Sequence, residues 1–226
     1  MSAPEGRHDD GTMPAPYTLY WAPDSGAFVV QAVLEELGLG YRLAPVAIAR
    51  GEHHTPEFLS LNPMAQVPVL RLPDGVVITE SAAMVAHLCD AHPESGLLPA
   101  PGTTARALAD RWLFWLATGL YETDLRYYYP DRYTADRAGA DGVRAAALVR
   151  MDRLLGIAEG LIAGTYALGE RASAVDLYLV MVAQWHPDGP AALDGHPRLA
   201  GLARRIRQRP SVQRIWGQHH PEGNVP

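Results

Sequence analysis

Part-way along the chain the hydrophobic pattern changes its period, and this change constrains the fold more than any other feature. Up to about residue 92, short β-type runs alternate with helical ones, whereas beyond about residue 102 only helical patterns recur. Residues 17–21 read as a strand. After Pro23, Asp24, Ser25 and Gly26, the residues Val29, Val33 and Leu37 repeat at helical spacing until Gly38. A second strand is predicted over 41–46. Two more, at 68–72 and 76–79, flank Pro73-Asp74-Gly75, which reads as a hairpin turn, and a helix follows from Ser81. The order is βαβ then ββα. Helices are then predicted over 105–128, 141–162, 173–185, 199–208 and 212–216. The expected organisation is a flexible tail at 1–16, an α/β domain at 17–92, a linker at 93–102 and an all-α domain at 103–226.

Composition narrows the function classes. With 48% hydrophobic residues the chain can bury one large core or two moderate ones. Apolar runs such as 177–183 fall far short of the roughly 20 residues that span a bilayer, so a soluble chain without a membrane partner is expected. The first sixteen residues lack the apolar centre of a secretory signal. Cys89 is the one cysteine and there is no C-x-x-C pair, so a cytoplasmic location is expected and any thiol chemistry needs a thiol from outside. Net charge is −6, and the cluster Arg204, Arg205, Arg207, Arg209 and Arg214 reads as a solvated helical face rather than a nucleic-acid footprint. No metal is expected.

Three short segments have chemistry within reach, each with a plainer structural reading beside it. In Ala22-Pro23-Asp24-Ser25-Gly26 a hydroxyl lies beside the unpaired N–H groups of a helix start, where an anion is favoured; Ser25 or Asp24 could equally be a simple N-cap. In the segment from Asn62 to Leu70, a proline opening a strand cannot donate to the ladder, and a cis form in a tight bend would free the preceding backbone for a ligand; the alternative is a structural turn. At Thr79-Glu80-Ser81-Ala82-Ala83, Ser81 as N-cap would leave main-chain N–H groups for a carboxylate while Glu80 accepts from an ammonium group, although a capping serine is commonplace.

These pieces, in this order, resemble the glutathione transferase family, particularly its serine-using members; Gly51 to Leu59 and on through Pro68 look like the plant phi class. The resemblance implies a thioredoxin-like first domain, an all-helical second one, glutathione as co-substrate and a homodimer. It also implies site residues. Ser25 matches the donor to the glutathione sulfur, and His53 and His54 match positions near the glycine carboxylate. Gln66 and Val67 flank the cysteinyl backbone, Pro68 matches the cis-proline, and Glu80 with Ser81 matches the γ-glutamyl clamp. Ser173-Ala174-Val175-Asp176 looks like the family's capping box. The chain departs from the pattern at Ala65, where relatives have glycine, at His54, where lysine is expected, and at Gly26, where the beta class has cysteine.

The implied activity is attack of a glutathione thiolate on an electrophilic small molecule. Its pocket is expected to draw on Tyr121, Tyr127, Tyr128, Tyr129 and Tyr133, with Trp112 and Trp115 in the core; three consecutive tyrosines cannot all face inward on a helix. Glutathione-dependent peroxidase, disulfide reductase or isomerase chemistry, and a non-catalytic binding protein, are the alternatives. A partner surface is expected on the helix after Ser81 and on the helix from Ala105.

Overall fold

The computed structural model describes residues 15–220. The expected tail therefore lies, through residue 14, outside the described residues. Strand β1 (Tyr17–Trp21), helix α1 (Ala27–Glu36) and strand β2 (Tyr41–Pro45) form the first unit; β3 (Val69–Arg71), β4 (Val77–Ile78) and α3 (Ser81–Ala91) form the second. The sheet order is β2-β1-β3-β4, with β2 parallel to β1 and both later pairings antiparallel. This is the thioredoxin-like arrangement, and it leaves the C-terminal end of β1 and the start of α1 at the rim of the sheet. Between β2 and β3 lie two single 3-10 turns and α2 (Pro56–Leu59), which the sequence reading leaves without an element. Four residues are too few to show a period; the available signal was Thr55-Pro56, whose threonine hydroxyl accepts from the Phe58 N–H at 3.3 Å.

The second half is all helical: α4 (Thr104–Trp115), α5 (Glu122–Tyr128), α6 (Ala140–Leu161), α7 (Ala174–Ala183), α8 (Pro197–Arg207) and α9 (Pro210–His219). The single helix expected over 105–128 is broken by a π-turn at Leu116–Tyr121. A wider turn takes up an extra residue, so the face carrying Trp112 does not continue in phase to Tyr121. Trp112 is buried in the core, as expected, while Tyr121 reaches the boundary between the two halves.

Helix α7 is buried along its whole length and packs against α1 and α8, so one apolar cluster runs through both halves. Asp176 is locked at its start: the carboxylate accepts from the Ser173 N–H and hydroxyl and from the Ala167 N–H, all at 2.7 Å. Polar clamps reinforce the join. Arg106 on α4 grips Asp90 on α3 through two bonds of 2.5 and 3.0 Å, and Arg209 holds Glu36 of α1 through two of 2.6 and 2.5 Å. Arg214 reaches Glu35 at 2.7 Å and Arg207 lies over the Trp216 ring. Three of the five arginines that read as a solvated face therefore hold the C-terminal helices together and onto α1. Among the described residues no helix is long and apolar enough to cross a membrane.

Candidate functional site

The turn after β1 places Ser25 at the rim. Its hydroxyl donates to the Ala22 carbonyl at 2.6 Å and accepts from the Ala27 N–H at 3.3 Å, the local bonding that serine offers at a helix start. Gly26 occupies the N-cap, and its N–H donates to the Tyr121 hydroxyl from the π-turn. A β-carbon on Gly26 would stand 2.9 Å from that hydroxyl and 3.3 Å from Pro68 Cδ, so glycine is what lets the helical half close onto the β1–α1 turn. Burial pushes the Tyr121 hydroxyl up to about 12; it keeps its proton at neutral pH, and with its oxygen accepting from Gly26 that proton is available to donate.

The second segment curls around Asn62. Its buried amide donates to the Gln66 carbonyl at 2.8 Å and accepts from the Met64 N–H at 3.0 Å. Ala65 adopts φ 54°, the left-handed region its β-carbon disfavours, and the Val67-Pro68 bond is cis. At the third segment the expectation for Ser81 is corrected. Glu80 takes the N-cap with φ 66°, and Ser81 is the first helical residue, its hydroxyl 2.9 Å from that of Tyr178 on α7. A partner inside the core draws that hydroxyl inward. The exposed Glu80 carboxylate still lies near enough to Tyr121 and Tyr178 to raise both phenols.

A cavity of about 1020 Å³ opens between the halves. Its sheet-side wall includes Ser25, His53, Ala65, Gln66 and Val67; its helical wall includes Tyr121, Asp124, Tyr128, Tyr129 and Trp185. Of the residues singled out from the sequence, Pro68 lies behind this lining, and His54, Glu80, Ser81, Tyr127 and Tyr133 lie outside it, the Tyr133 ring being taken up by Arg126. Tyr127 packs against the core instead. The His53 ring is 3.9 Å from that of His54; burial, His54 and Arg132 all lower its pKa, so it is neutral near pH 7. Cys89 is buried, with its thiol pushed up to about 12, and takes no part here.

Residues 27–91 match the family model for the glutathione S-transferase N-terminal domain, and 131–210 match that for its C-terminal domain. Glutathione S-transferase 1 of Dianthus caryophyllus is 32% identical over 69% of this chain and 70% of its own length. The chain belongs to the glutathione S-transferase family. A maleylacetoacetate isomerase of Pseudomonas aeruginosa is 28% identical over 91% of this chain and 94% of its own. A glutathione transferase homologue from Sulfitobacter, solved with bound glutathione, superposes with a TM-score of 0.84 at 26% identity, covering 91% of this chain and 99% of that one.

Within this family's fold, the chain has features that sequence reasoning missed. Tyr17 and Tyr20, the β1 tyrosines nearest Ser25 in the chain, do not line the cavity, whereas Tyr121 bonds directly to the β1–α1 turn. Asp124 carries no signal in the sequence. It sits in Glu122-Thr123-Asp124-Leu125-Arg126, a run that reads as an exposed helical face, yet it is only 3% exposed and turned into the cavity wall.

Proposed function

We propose that this glutathione S-transferase family member binds glutathione along the sheet-side wall and activates its thiol for attack on an electrophile held against the helical wall. The observation that carries this reading is the single cavity in which Ser25, His53, Gln66 and Val67 face Tyr121 and Tyr128. The cysteinyl backbone would lie against Gln66 and Val67, the glycine end towards His53, and the γ-glutamyl end towards Glu80 and the start of α3. A free thiol has a pKa near about 8.5, and lowering it by about two units needs roughly 2.7 kcal/mol of preference for the anion. One hydrogen bond to the thiolate, worth about 1.5–3 kcal/mol, together with the α1 terminus at about 0.3–1 kcal/mol, is sufficient. Ser25 has to release the Ala22 carbonyl to supply that bond; Tyr121 does not.

Calorimetry with glutathione tests binding, and thiolate absorbance against pH tests activation. Ser25→Ala is expected to raise the pKa of bound glutathione by about one unit or more. If Tyr121→Phe produces that shift and Ser25→Ala does not, the donor is the tyrosine. Glu80→Gln is expected to weaken glutathione binding about ten- to a hundredfold, about 1.4–2.7 kcal/mol. Unchanged affinity would remove the clamp from the scheme.

The same thiolate serves addition followed by elimination, so isomerase chemistry shares this site, as the name of the Pseudomonas relative suggests. A homodimer is part of the proposal. Leu108 and Phe114 on α4 are 47% and 67% exposed, whereas α3, the other helix expected to form a partner face, has no large exposed apolar side chain. Sedimentation at micromolar concentration tests it, and a monomer there would count against it.

A further inference from the structure

We propose that Asp124 is the hydrogen-bond donor that selects the second substrate: an electrophile whose attacked carbon is conjugated to a carbonyl oxygen. The proposal rests on the reading of glutathione as the thiol substrate and goes beyond it by assigning polarity to the opposite wall.

Neither carboxyl oxygen of Asp124 has a protein partner among the described residues, although the residue is 3% exposed and lines the cavity. A buried polar group without a partner costs stability, so its retention in a wall open to a ligand points to a ligand that satisfies it. The local geometry fits. Tyr121, Asp124 and Tyr128 follow one another on one face of α5 and the turn before it. Tyr128 donates to the Trp185 carbonyl at 2.5 Å, and the Trp185 ring stands edge-on to Tyr121 at 5.1 Å. This brackets Asp124 with aromatic surface.

Burial alone pushes the Asp124 carboxyl well above the ordinary carboxylate range, with no nearby cation to hold it ionised. That shift favours the protonated form, in which the carboxyl has an O–H to offer to whatever lies in the cavity. Two further buried donors in the same lining, Trp185 Nε1 and Arg207 Nε, also have no partner, against one side-chain amide acceptor, Gln184 Oε1. A wall richer in donors suits a ligand that presents oxygen acceptors.

The chemistry follows from that match. The thiolate sulfur bonds to the carbon β to the carbonyl, the alkene π pair shifts to form the enolate C=C bond, the carbonyl π pair moves onto its oxygen, and the Asp124 O–H donates to that oxygen as its charge grows. The proton passes to that oxygen, the enol reverts to the carbonyl compound in water, and Asp124 regains a proton from solvent.

Two conjugates differing by one oxygen, S-(3-oxobutyl)glutathione and S-butylglutathione, test this by calorimetry, with glutathione itself as reference. The unmodified protein is expected to favour the oxo conjugate and Asp124→Leu the butyl conjugate, a swing in the affinity ratio of about tenfold, the worth of one hydrogen bond. Asp124→Asn, which keeps N–H donors, should retain part of the preference. Glutathione affinity should be the same in all three proteins. An equal ratio in the unmodified protein and Asp124→Leu overturns the proposal, as does failure of both conjugates to bind where glutathione binds. Failure of glutathione to bind the unmodified protein sinks the function proposed above instead.

Discussion

In the sheet half that walls the cavity, Ser25 is bonded to Ala22 and Ala27, Asn62 to Met64 and Gln66, and Ser81 to Tyr178; on the helical side, the Asp124 carboxyl, Trp185 Nε1 and the Gln184 side-chain amide oxygen have no hydrogen-bond partner among the described residues. The sheet side keeps its tension in the backbone instead. All three described non-glycine residues with positive φ are there: Asp24 at 49°, Ala65 at 54° and Glu80 at 66°, each directly before Ser25, Gln66 or Ser81. In the cavity lining on that side His53, whose Nδ1 is buried without a hydrogen-bond partner, is the exception; behind the lining, Trp21 Nε1 and Arg71 Nε are also buried without one. A wall that satisfies its own side chains and fixes its backbone is ready-made for a ligand that does not vary. A wall with unmatched polar atoms gains from whichever ligand matches them, which makes it the place where specificity is set.

The comparison breaks most sharply at Asn62. Asn62→Ala removes two hydrogen bonds from a buried site and strands the groups they served, so stability should fall by about 2–3 kcal/mol. Thermal unfolding should show a midpoint lower by roughly 5–10 °C, and glutathione affinity should fall with it, because the loop presenting Gln66 and Val67 loses its brace. A variant that unfolds like the unmodified protein would show that the loop stands without Asn62.

On the helical wall the sign reverses. Asp124→Leu replaces an unpartnered buried carboxyl with an apolar group of similar size and should stabilise the fold by about 1–3 kcal/mol near pH 4, and by more at pH 7. The gain depends on pH. Because the folded pKa is raised, folding favours the protonated acid: that contribution is full below the unfolded value, about 3.9, and is lost as pH climbs towards the folded value. The stability difference between Asp124→Leu and the unmodified protein should thus be smallest near pH 4 and grow with pH, by at most about 1.4 kcal/mol per unit. A flat difference would mean that Asp124 is ionised in the folded protein and has found a partner.

The sheet side was legible in the sequence and the helical side was not, for related reasons. Strands and helices of the first half announce themselves through short periods cut by Pro, Gly and Asp, and the segments holding Ser25, Gln66 and Glu80 are contiguous, so their order survives in one dimension. Asp124 depends on tertiary structure. Its neighbours Glu122 and Arg126 pair with each other at 3.6 Å as a surface helix would have them, and only the tertiary packing of α5, chiefly against α6 and the π-turn, buries the residue between them. The π-turn is equally silent, since Leu-Ala-Thr-Gly-Leu-Tyr continues a helical pattern without a breaker stronger than Gly119. The arginine cluster misled because composition does not reveal that Glu35 and Glu36 of α1 lie opposite Arg214 and Arg209.

The smallest expected effect tests whether the backbone strain belongs to the ligand site or only to the turn. Ala65 holds φ 54° with its N–H donating to the Asn62 carbonyl at 3.0 Å, a geometry that glycine adopts without the β-carbon penalty of about 1–2 kcal/mol. Ala65→Gly relieves that penalty but gives the unfolded chain more freedom, which takes back about 0.4–1 kcal/mol. The net should be a gain of about 0.5–1 kcal/mol, visible as a shift of roughly 1–4 °C in the unfolding midpoint. Since the substitution removes only a methyl group from the lining and leaves Asn62, Gln66 and Val67 in place, glutathione affinity should hold within about twofold, well under the 1.4 kcal/mol of a tenfold change. A gain in stability with unchanged affinity would make the strain a property of the turn alone. A gain accompanied by a clear loss of affinity would mean that the strained alanine keeps Gln66 and Val67 in the pose the ligand requires, and that the sheet-side wall, like the helical one, trades stability for recognition.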